Sequence, residues 1–224
     1  MSEAFRLLLL LLWGTMAGLD LVSVPQGLLS RPLVAATVAG LIAGDLAGGL
    51  MAGMVLELYA LDVLPIGASR YPDYSVAAVA AGTAAALVPS AVAAGVAGMI
   101  GLPLAALGGW TLQALRRRNA ASVRRRLDRV AAGEARAIWE LQRNGFFRDA
   151  LRSFGLALVG VGAALLVAQV RWDLFPHARL VSWAVLAGGI AAALGGAIRS
   201  AGRGARRYWL ACGLATGILV VWFR

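Results

Sequence analysis

The sequence predicts an all-α, polytopic membrane protein, and three observations lead to this fold class. Hydrophobic residues make up 60% of the 224 residues and charged residues only 14%, whereas a soluble domain has roughly half and a quarter. The apolar residues fall into about eight runs, several of them long enough to cross a bilayer. The 21 basic and 11 acidic residues are too few to cover a soluble core of this size. A water-soluble globule is therefore excluded.

The apolar runs differ in length, and the shortest ones are the most informative. The first run, 5–24, lacks the small-residue cleavage site of a signal peptide, so we expect a membrane-embedded segment. Several runs between residues 33 and 88 fall short of the roughly 20 residues that a perpendicular membrane helix needs. Short, Gly- or Pro-interrupted segments are typical of re-entrant or broken helices, and we expect them there. The remaining runs are 33–50, 51–64, 76–88, 91–115, 154–170, 180–198 and 208–223.

A strongly basic segment, 116–152, separates the apolar runs and predicts the topology. It contains eleven Arg and four acidic residues, so the positive-inside rule places it in the cytoplasm. A second basic segment, 199–207, has no acidic residue and agrees with this orientation, with 171–179 as a short external loop between them. The C-terminus is then outside. The N-terminus stays open, because re-entrant segments would change the number of crossings.

The basic segment 116–152 has two interpretations. Apolar residues recur in it near helical spacing, which indicates amphipathic helices along the inner membrane face. The simpler interpretation is a solvated loop whose arginines pair with anionic lipid head groups. Nucleic-acid binding would require this segment to act without a recognisable fold, so we expect no nucleic-acid partner. The chain thus divides into a membrane region with the broken segments (1–115), the basic segment (116–152) and a second membrane region of about three helices (153–224).

The sequence contains no recognisable catalytic or metal-binding motif. The single cysteine, Cys212, excludes an intramolecular disulfide and a cysteine-based metal cluster. The single histidine, His177, leaves no histidine constellation. Phosphate-binding Walker loops, Gly-x-Ser-x-Gly elbows and His-based triads are also missing from the sequence. We therefore expect no catalysis by this chain itself and no metal or cofactor.

Two acidic residues, Asp45 and Glu57, lie in otherwise apolar sequence. An unpaired Asp at the centre of a membrane helix costs roughly 2.5–3.5 kcal/mol on the insertion scale, so each should face a cavity, a partner or a polar substrate. Glu57 has only apolar neighbours within one helical turn, which favours a cavity-facing functional role over a structural hydrogen bond. Asp45 stands at an expected helix break, where capping of the following half-helix competes with ligand contact.

Residues 65–73 cannot form a continuous helix, because they contain Pro65, Gly67 and Pro72. A non-helical loop between membrane segments exposes backbone N–H and C=O groups that can bind polyols or water. Asp73 follows Pro72 and suits the N-cap of the next helix, which is its structural interpretation.

Glycines recur at four-residue spacing in the same region. On a helix this spacing forms a groove that another helix can approach closely. Packing explains most of these residues, and the grooves favour an oligomer over a monomer. The glycines concerned are Gly40, Gly44, Gly48, Gly49 and Gly53.

The order of these motifs resembles the C component of enzyme II in the mannose–fructose–sorbose family of the bacterial sugar phosphotransferase system. The residues that carry the resemblance are Arg31-Pro32, Gly44-Asp45, Glu57, Ile66-Gly67-Ala68 and Pro72-Asp73, and a looser similarity extends through Arg118-Asn119 to Arg152. The resemblance implies a permease subunit of the bacterial inner membrane that translocates a hexose-type sugar. It also implies a D-component membrane subunit, cytoplasmic A and B phosphocarrier components, and a homo-oligomer.

The resemblance further implies a substrate site. On this analogy Asp45, Glu57, Gly67 and Asp73 hold sugar hydroxyls or shape the cavity, since a carboxylate accepts hydrogen bonds from two adjacent hydroxyls. The sequence departs from the family pattern at Pro65 and Arg70. These departures, together with a C-terminus that ends about one membrane segment early, favour one alternative to sugar translocation, a non-transporting membrane scaffold or regulator. A separate alternative is a sugar facilitator that works without phosphorylation.

Overall fold

The computed structural model describes residues 2–63, 69–200, 208, 212 and 213, and it confirms the all-α fold class. Over this part of the chain eight α-helices and one short 3₁₀ helix, Trp172–Leu174, follow one another, and no strand occurs. Four helices are long and apolar enough to cross a membrane: α1, α5, α7 and α8. The α-helices are α1 (Glu3–Val22), α2 (Pro32–Ala43), α3 (Leu46–Ala60), α4 (Tyr74–Ala86), α5 (Ser90–Arg124), α6 (Leu127–Ala131), α7 (Ala135–Ala168) and α8 (Ala178–Ser200).

The predicted division of the second and third apolar runs at residue 50 is wrong, because the chain breaks at Gly44 and Asp45 instead. Helix α2 ends where Gly44 adopts a left-handed conformation (φ +107°), which is accessible to glycine without steric cost. Asp45 then caps α3. Hydropathy carries no sign of this break, since apolar residues lie on both sides of it.

Helices α2 and α3 form an antiparallel hairpin, and each of the two is too short to be a membrane-spanning helix by itself. The two helices have 12 and 15 residues, so each is roughly 18–23 Å long, against about 30 Å for the hydrocarbon core. The hairpin tip, at Gly44 and Asp45, lies near the C-terminal end of α4, because Gly48 packs on Ala85. The prediction of short, broken segments between residues 33 and 88 agrees with this hairpin and with the 13-residue α4.

Helix α4 lies at the centre, buried along its length by α1, the hairpin, α5 and α7. Gly14 and Gly18 of α1 pack on Ala157 and Ser153 of α7, so these two helices are antiparallel. The C-terminal end of α1, the N-terminal end of α4, the second half of α5 and the first half of α7 therefore meet at one end of the bundle. We call it the basic end, because the arginine-rich segment 116–152 lies there.

The segment 116–152 is mostly a continuation of the two longest helices. Helices α5 and α7 have 35 and 34 residues, about 50 Å each, which exceeds the thickness of the hydrocarbon by roughly 20 Å. The short helix α6 and a turn at Gly133 (φ +74°) connect them. The region boundaries expected after residues 115 and 152 thus fall inside α5 and α7. The helical pattern of residues 116–152 corresponds to these helical extensions.

Helix α8 packs on α5 and α3, and Tyr59 of α3 donates a hydrogen bond of 2.9 Å to the carbonyl of Val185. Arg199, near the end of α8, pairs with Asp62 just after α3. The last predicted apolar run, 208–223, lies largely outside the described residues.

Candidate functional site

The α2–α3 hairpin is built on direct backbone contact between helices. A Cβ atom on Gly49 would lie 2.6 Å from the carbonyl oxygen of Ala36, and one on Gly82 of α4 would lie 2.4 Å from the same atom. Gly40 and Gly49 face each other across the hairpin at comparable range. Three helices therefore meet without intervening side chains, which is the packing that the glycine spacing predicts.

Asp45 lies at the hairpin tip and caps α3. Its carboxylate accepts a hydrogen bond of 3.0 Å from the backbone N–H of Ala47. This satisfies one of the free N–H groups at the helix start and places a negative charge at the positive end of the helix dipole. Of the two interpretations open for Asp45, the structure places it in the capping geometry.

Glu57 lies on α3 and is paired with Arg31, which precedes α2. The carboxylate also accepts a hydrogen bond of 3.2 Å from the backbone N–H of Leu33, so it caps α2 as well. The Glu57 side chain is 17% exposed and that of Arg31 is 50% exposed, so the pair lies at the edge of the protein interior. Two of the motifs that carried the family resemblance thus form one contact, although 26 residues separate them.

Asp73 is fully buried at the start of α4 and serves as its N-cap, accepting a hydrogen bond of 3.0 Å from the backbone N–H of Ser75. It is also paired with Arg152 of α7 at 2.7 Å. Arg152 binds a second carboxylate, that of Asp149, at 3.1 Å. Asp149 in turn accepts a hydrogen bond of 2.6 Å from the hydroxyl of Ser23. This Asp73–Arg152–Asp149 cluster connects α1, α4 and α7 at the basic end.

The three described carboxylates of the predicted site therefore occupy three separate places, each with its own partner. Gly67, the fourth predicted site residue, lies outside the described residues, as do Pro65 and the motif around it. Arg70 stacks on the ring of Trp110 at 4.8 Å, so it is engaged by an aromatic ring.

Sequence reasoning missed Asp149, Arg152 and Asp20 as organising residues. Asp20, buried on α1, accepts a hydrogen bond of 2.8 Å from the backbone N–H of Ser30 and one from that of Gly27. It thereby holds the connection between α1 and α2. The sequence does contain a signal for Asp20, since it lies in an apolar run, as Asp45 and Glu57 do. Asp149 and Arg152 lie in the basic segment, where many other charged residues surround them and no comparable signal exists.

A cavity of about 900 Å³ opens at the basic end between α1, α5 and α7. Its wall combines apolar side chains with polar ones, and Trp139 and Phe146 contribute aromatic surface. The polar residues of the wall are Ser23, Arg116, Asn119, Gln142, Arg143 and Asp149. Tyr71, which does not line the cavity, holds Arg116 in place: the guanidinium stacks on the Tyr71 ring at 4.9 Å and donates a hydrogen bond to the Tyr71 hydroxyl. The sequence predicted a basic surface here but not a cavity.

Two exposed ion pairs lie outside the long apolar helices. Arg129 donates a hydrogen bond of 2.6 Å to Glu134, and this bond lowers the pKa of the Glu134 carboxyl. Arg171 donates one of 2.8 Å to Asp173 and lowers the pKa of that carboxyl in the same way. Among the described residues no group of three or more His, Cys, Asp and Glu side chains could hold a metal ion.

Comparison with known proteins gives a family and a fold. Residues 4–214 match the family described as the PTS system sorbose-specific IIC component. A structure titled "Structure of membrane protein" aligns with a TM-score of 0.67 and 19% identity, covering 100% of this chain and 96% of the other. The cryo-EM structure of the mannose transporter ManYZ in complex with microcin E492 aligns with a TM-score of 0.57 and 22% identity, with the same coverage. At these identities the two likenesses concern the fold alone. No curated protein shows significant similarity to the sequence.

Proposed function

Because the chain belongs to the family of the sorbose-specific IIC component of the phosphotransferase system, we propose that it translocates a hexose-type sugar whose phosphorylation is performed by partner components. The family makes it a sugar transport subunit and an integral membrane protein. The observation that carries the finer proposal is the α2–α3 hairpin, a short helical pair with ionised groups inside a bundle of membrane-length helices. Such paired short segments are the usual sites of substrate binding in transporters.

We assign Glu57 as the carboxylate that contacts the sugar. Glu57 combines two properties that neither of the other described site residues has together: its side chain is partly exposed, and the helix that it caps is α2 and not its own helix α3. A sugar hydroxyl can compete with Arg31 for its oxygens, since a carboxylate offers about four acceptor positions. Asp45 and Asp73 act by shaping the site, through the caps of α3 and α4. Gly67 belongs to the same proposed site through the family motif.

The proposed partners fit two surfaces of the chain. The hairpin exposes an apolar row, Leu41, Leu46, Leu50 and Met54, which suits the D-component membrane subunit or a second copy of this chain. The extensions of α5 and α7 carry the basic segment, which we place in the cytoplasm of a bacterial cell, within reach of soluble A and B components.

The experiment is hexose uptake in bacteria that lack their own hexose transporters and express this chain with A, B and D components. Radiolabelled sugar should accumulate in phosphorylated form. Glu57→Gln should reduce uptake about tenfold or more, as expected for the loss of a charge-assisted hydrogen bond. Glu140→Gln, which removes an acidic group that pairs only on the basic segment, should leave uptake unchanged at equal expression. The proposal would be refuted if no hexose accumulated, or if the Glu57→Gln variant took up sugar at the wild-type rate. Uptake that persists without the phosphate donor would identify a facilitator.

One observation favours the second candidate, a non-transporting scaffold. Glu57 pairs with Arg31 and Asp73 pairs with Arg152. In this structure neither carboxylate is therefore free to bind a sugar hydroxyl. A scaffold would co-purify with the D component and yet leave uptake by the other subunits independent of Glu57.

A further inference from the structure

The cavity at the basic end, lined by α1, α5 and α7, presents hydrogen-bond donors on several sides. Arg116 uses one nitrogen for the Tyr71 hydroxyl and keeps its other N–H groups. Arg143 is exposed and has no hydrogen-bond or ion-pair partner among the described residues. Both guanidiniums are permanently charged donors without acceptor capacity. An anion would therefore find two cationic groups on the wall.

Asn119 adds neutral donors, and its orientation is fixed by chemistry. Arg148 donates hydrogen bonds of 3.2 Å to the Asn119 side-chain oxygen and 2.9 Å to the Ser122 hydroxyl. Because arginine can only donate, the oxygen of the amide must face Arg148 and the NH₂ group must face away. That NH₂ group lies beside Gly145, another residue of the cavity wall. Asn119 consequently offers donors to a ligand.

The one acidic residue of the wall, Asp149, is held by other residues of the protein. Asp149 is buried, pairs with Arg152 at 3.1 Å and accepts the Ser23 hydroxyl at 2.6 Å. Both of its oxygens are thus engaged by donors of the protein. In the Asp73–Arg152–Asp149 cluster two carboxylates share one guanidinium, which leaves one negative charge. The two positive charges of Arg116 and Arg143 exceed it, so the cavity keeps a net positive charge.

The shape and the aromatic surface of the cavity narrow the class of anion. Its volume of about 900 Å³ lies within the range of small-molecule sites, roughly 300–1,000 Å³. Trp139 is 60% exposed on the wall, and an exposed indole face suits the C–H faces of a polyol ring. Gln142 provides an additional polar group that can adapt to hydroxyls.

We propose that this cavity binds a phosphate ester of a polyol, with Arg116, Arg143 and the Asn119 amide holding the phosphate and Trp139 facing the polyol. A phosphate ester on a polyol occurs both in a sugar phosphate, as a monoester, and in the head group of phosphatidylglycerol, as a diester. That the ligand is a sugar phosphate, retained on the side where it is formed, rests on the proposed function. The binding itself rests only on the geometry, and its test requires neither transport nor partner subunits.

The test is calorimetric titration of glucose 6-phosphate into the full-length protein in nanodiscs of neutral phosphatidylcholine. Saturable binding is expected, with glucose alone and inorganic phosphate alone binding more weakly. Arg143→Gln should weaken binding roughly tenfold, which corresponds to one charge-assisted hydrogen bond. Arg117→Gln is the matched control, since Arg117 on α5 is also exposed but does not line the cavity; it should change binding less than twofold.

A second variant keeps the proposal testable if Arg143 proves redundant. Asn119→Asp retains an acceptor for Arg148 and replaces the donating NH₂ group by a negative oxygen, so it should abolish binding while the protein stays folded. A parallel arm measures retention of phosphatidylglycerol by the purified protein, and loss of retention in the same two variants would identify a lipid phosphate as the ligand. Absence of both kinds of binding, or equal weakening by Arg143→Gln and Arg117→Gln, would overturn the proposal.

Discussion

Replacing Arg152 by methionine should cause one of the largest losses of stability that a single substitution can produce in this protein. The Arg152 side chain is 7% exposed, and those of Asp73 and Asp149 are 0% and 1% exposed. Methionine keeps most of the volume but leaves two buried carboxylates without a cation. Breaking a buried ion pair from one side typically costs about 3–5 kcal/mol, and each 1.4 kcal/mol is tenfold, so the unfolding equilibrium should shift by at least about a hundredfold.

The prediction is checked by unfolding the detergent-solubilised protein and following tryptophan fluorescence. Arg129→Met, which breaks an exposed pair with Glu134, is the control and should cost far less stability than Arg152→Met, because exposed ion pairs contribute little. In the double variant Asp73→Asn with Arg152→Met, the asparagine still caps α4 and carries no charge, so part of the loss should return. The reasoning is refuted if Arg152→Met differs from the wild type by less than about 1 kcal/mol, below the range for buried pairs, or if the double variant is no more stable than Arg152→Met.

Three further predictions concern the hairpin and the basic end. Gly49→Ala should lower the midpoint of thermal unfolding, because its Cβ would lie 2.6 Å from the backbone of α2. Gly155→Ala is the control: its Cβ would meet no neighbouring group within 4 Å, so the higher helix propensity of alanine should raise the midpoint. Asp45→Ala should cost about 0.5–2 kcal/mol through loss of the α3 cap, and Asp45→Asn, which can still cap, should cost much less in the same denaturation assay. The pKa of Glu134 is lowered by the hydrogen bond from Arg129, so this contact stabilises the fold above the ordinary carboxyl range and is lost as the pH falls through the lowered value. An NMR titration of the Glu134 carboxyl should therefore give a pKa below the ordinary one, and Arg129→Met, which removes the hydrogen-bond donor, should raise that pKa towards the ordinary value.

The fold class and most helix positions followed from the sequence because hydropathy is a local property. The run predicted at 180–198 lies within α8 (Ala178–Ser200), and the one at 76–88 largely coincides with α4 (Tyr74–Ala86). Hydropathy alone divides this region at residue 50, since it cannot detect a change of backbone conformation inside an apolar run, whereas Asp45 between its neighbouring glycines does indicate the helix break between α2 and α3. The glycine spacing did contain the information that helices meet there in backbone contact.

The partners of the intramembrane charges could not be predicted, because pairing depends on topology. Glu57 has only apolar neighbours in sequence, and its partner Arg31 becomes adjacent once the hairpin closes. The partner of Asp73 lies 79 residues further along the chain. Arg152 is one of eleven arginines in the basic segment, and its pairing with the buried carboxylates of Asp73 and Asp149 distinguishes it from the others.

The short hairpin also constrains how the protein can be assembled in the bilayer. Helices α2, α3 and α4 are too short to be released into lipid one at a time, because their unsatisfied end groups would then lie in hydrocarbon. The surfaces that bury them belong partly to α5 and α7, which are synthesised later. Burial of the middle of the chain is therefore complete only after the later helices have been synthesised, so the order in which the helices reach their final environment differs from the order of synthesis.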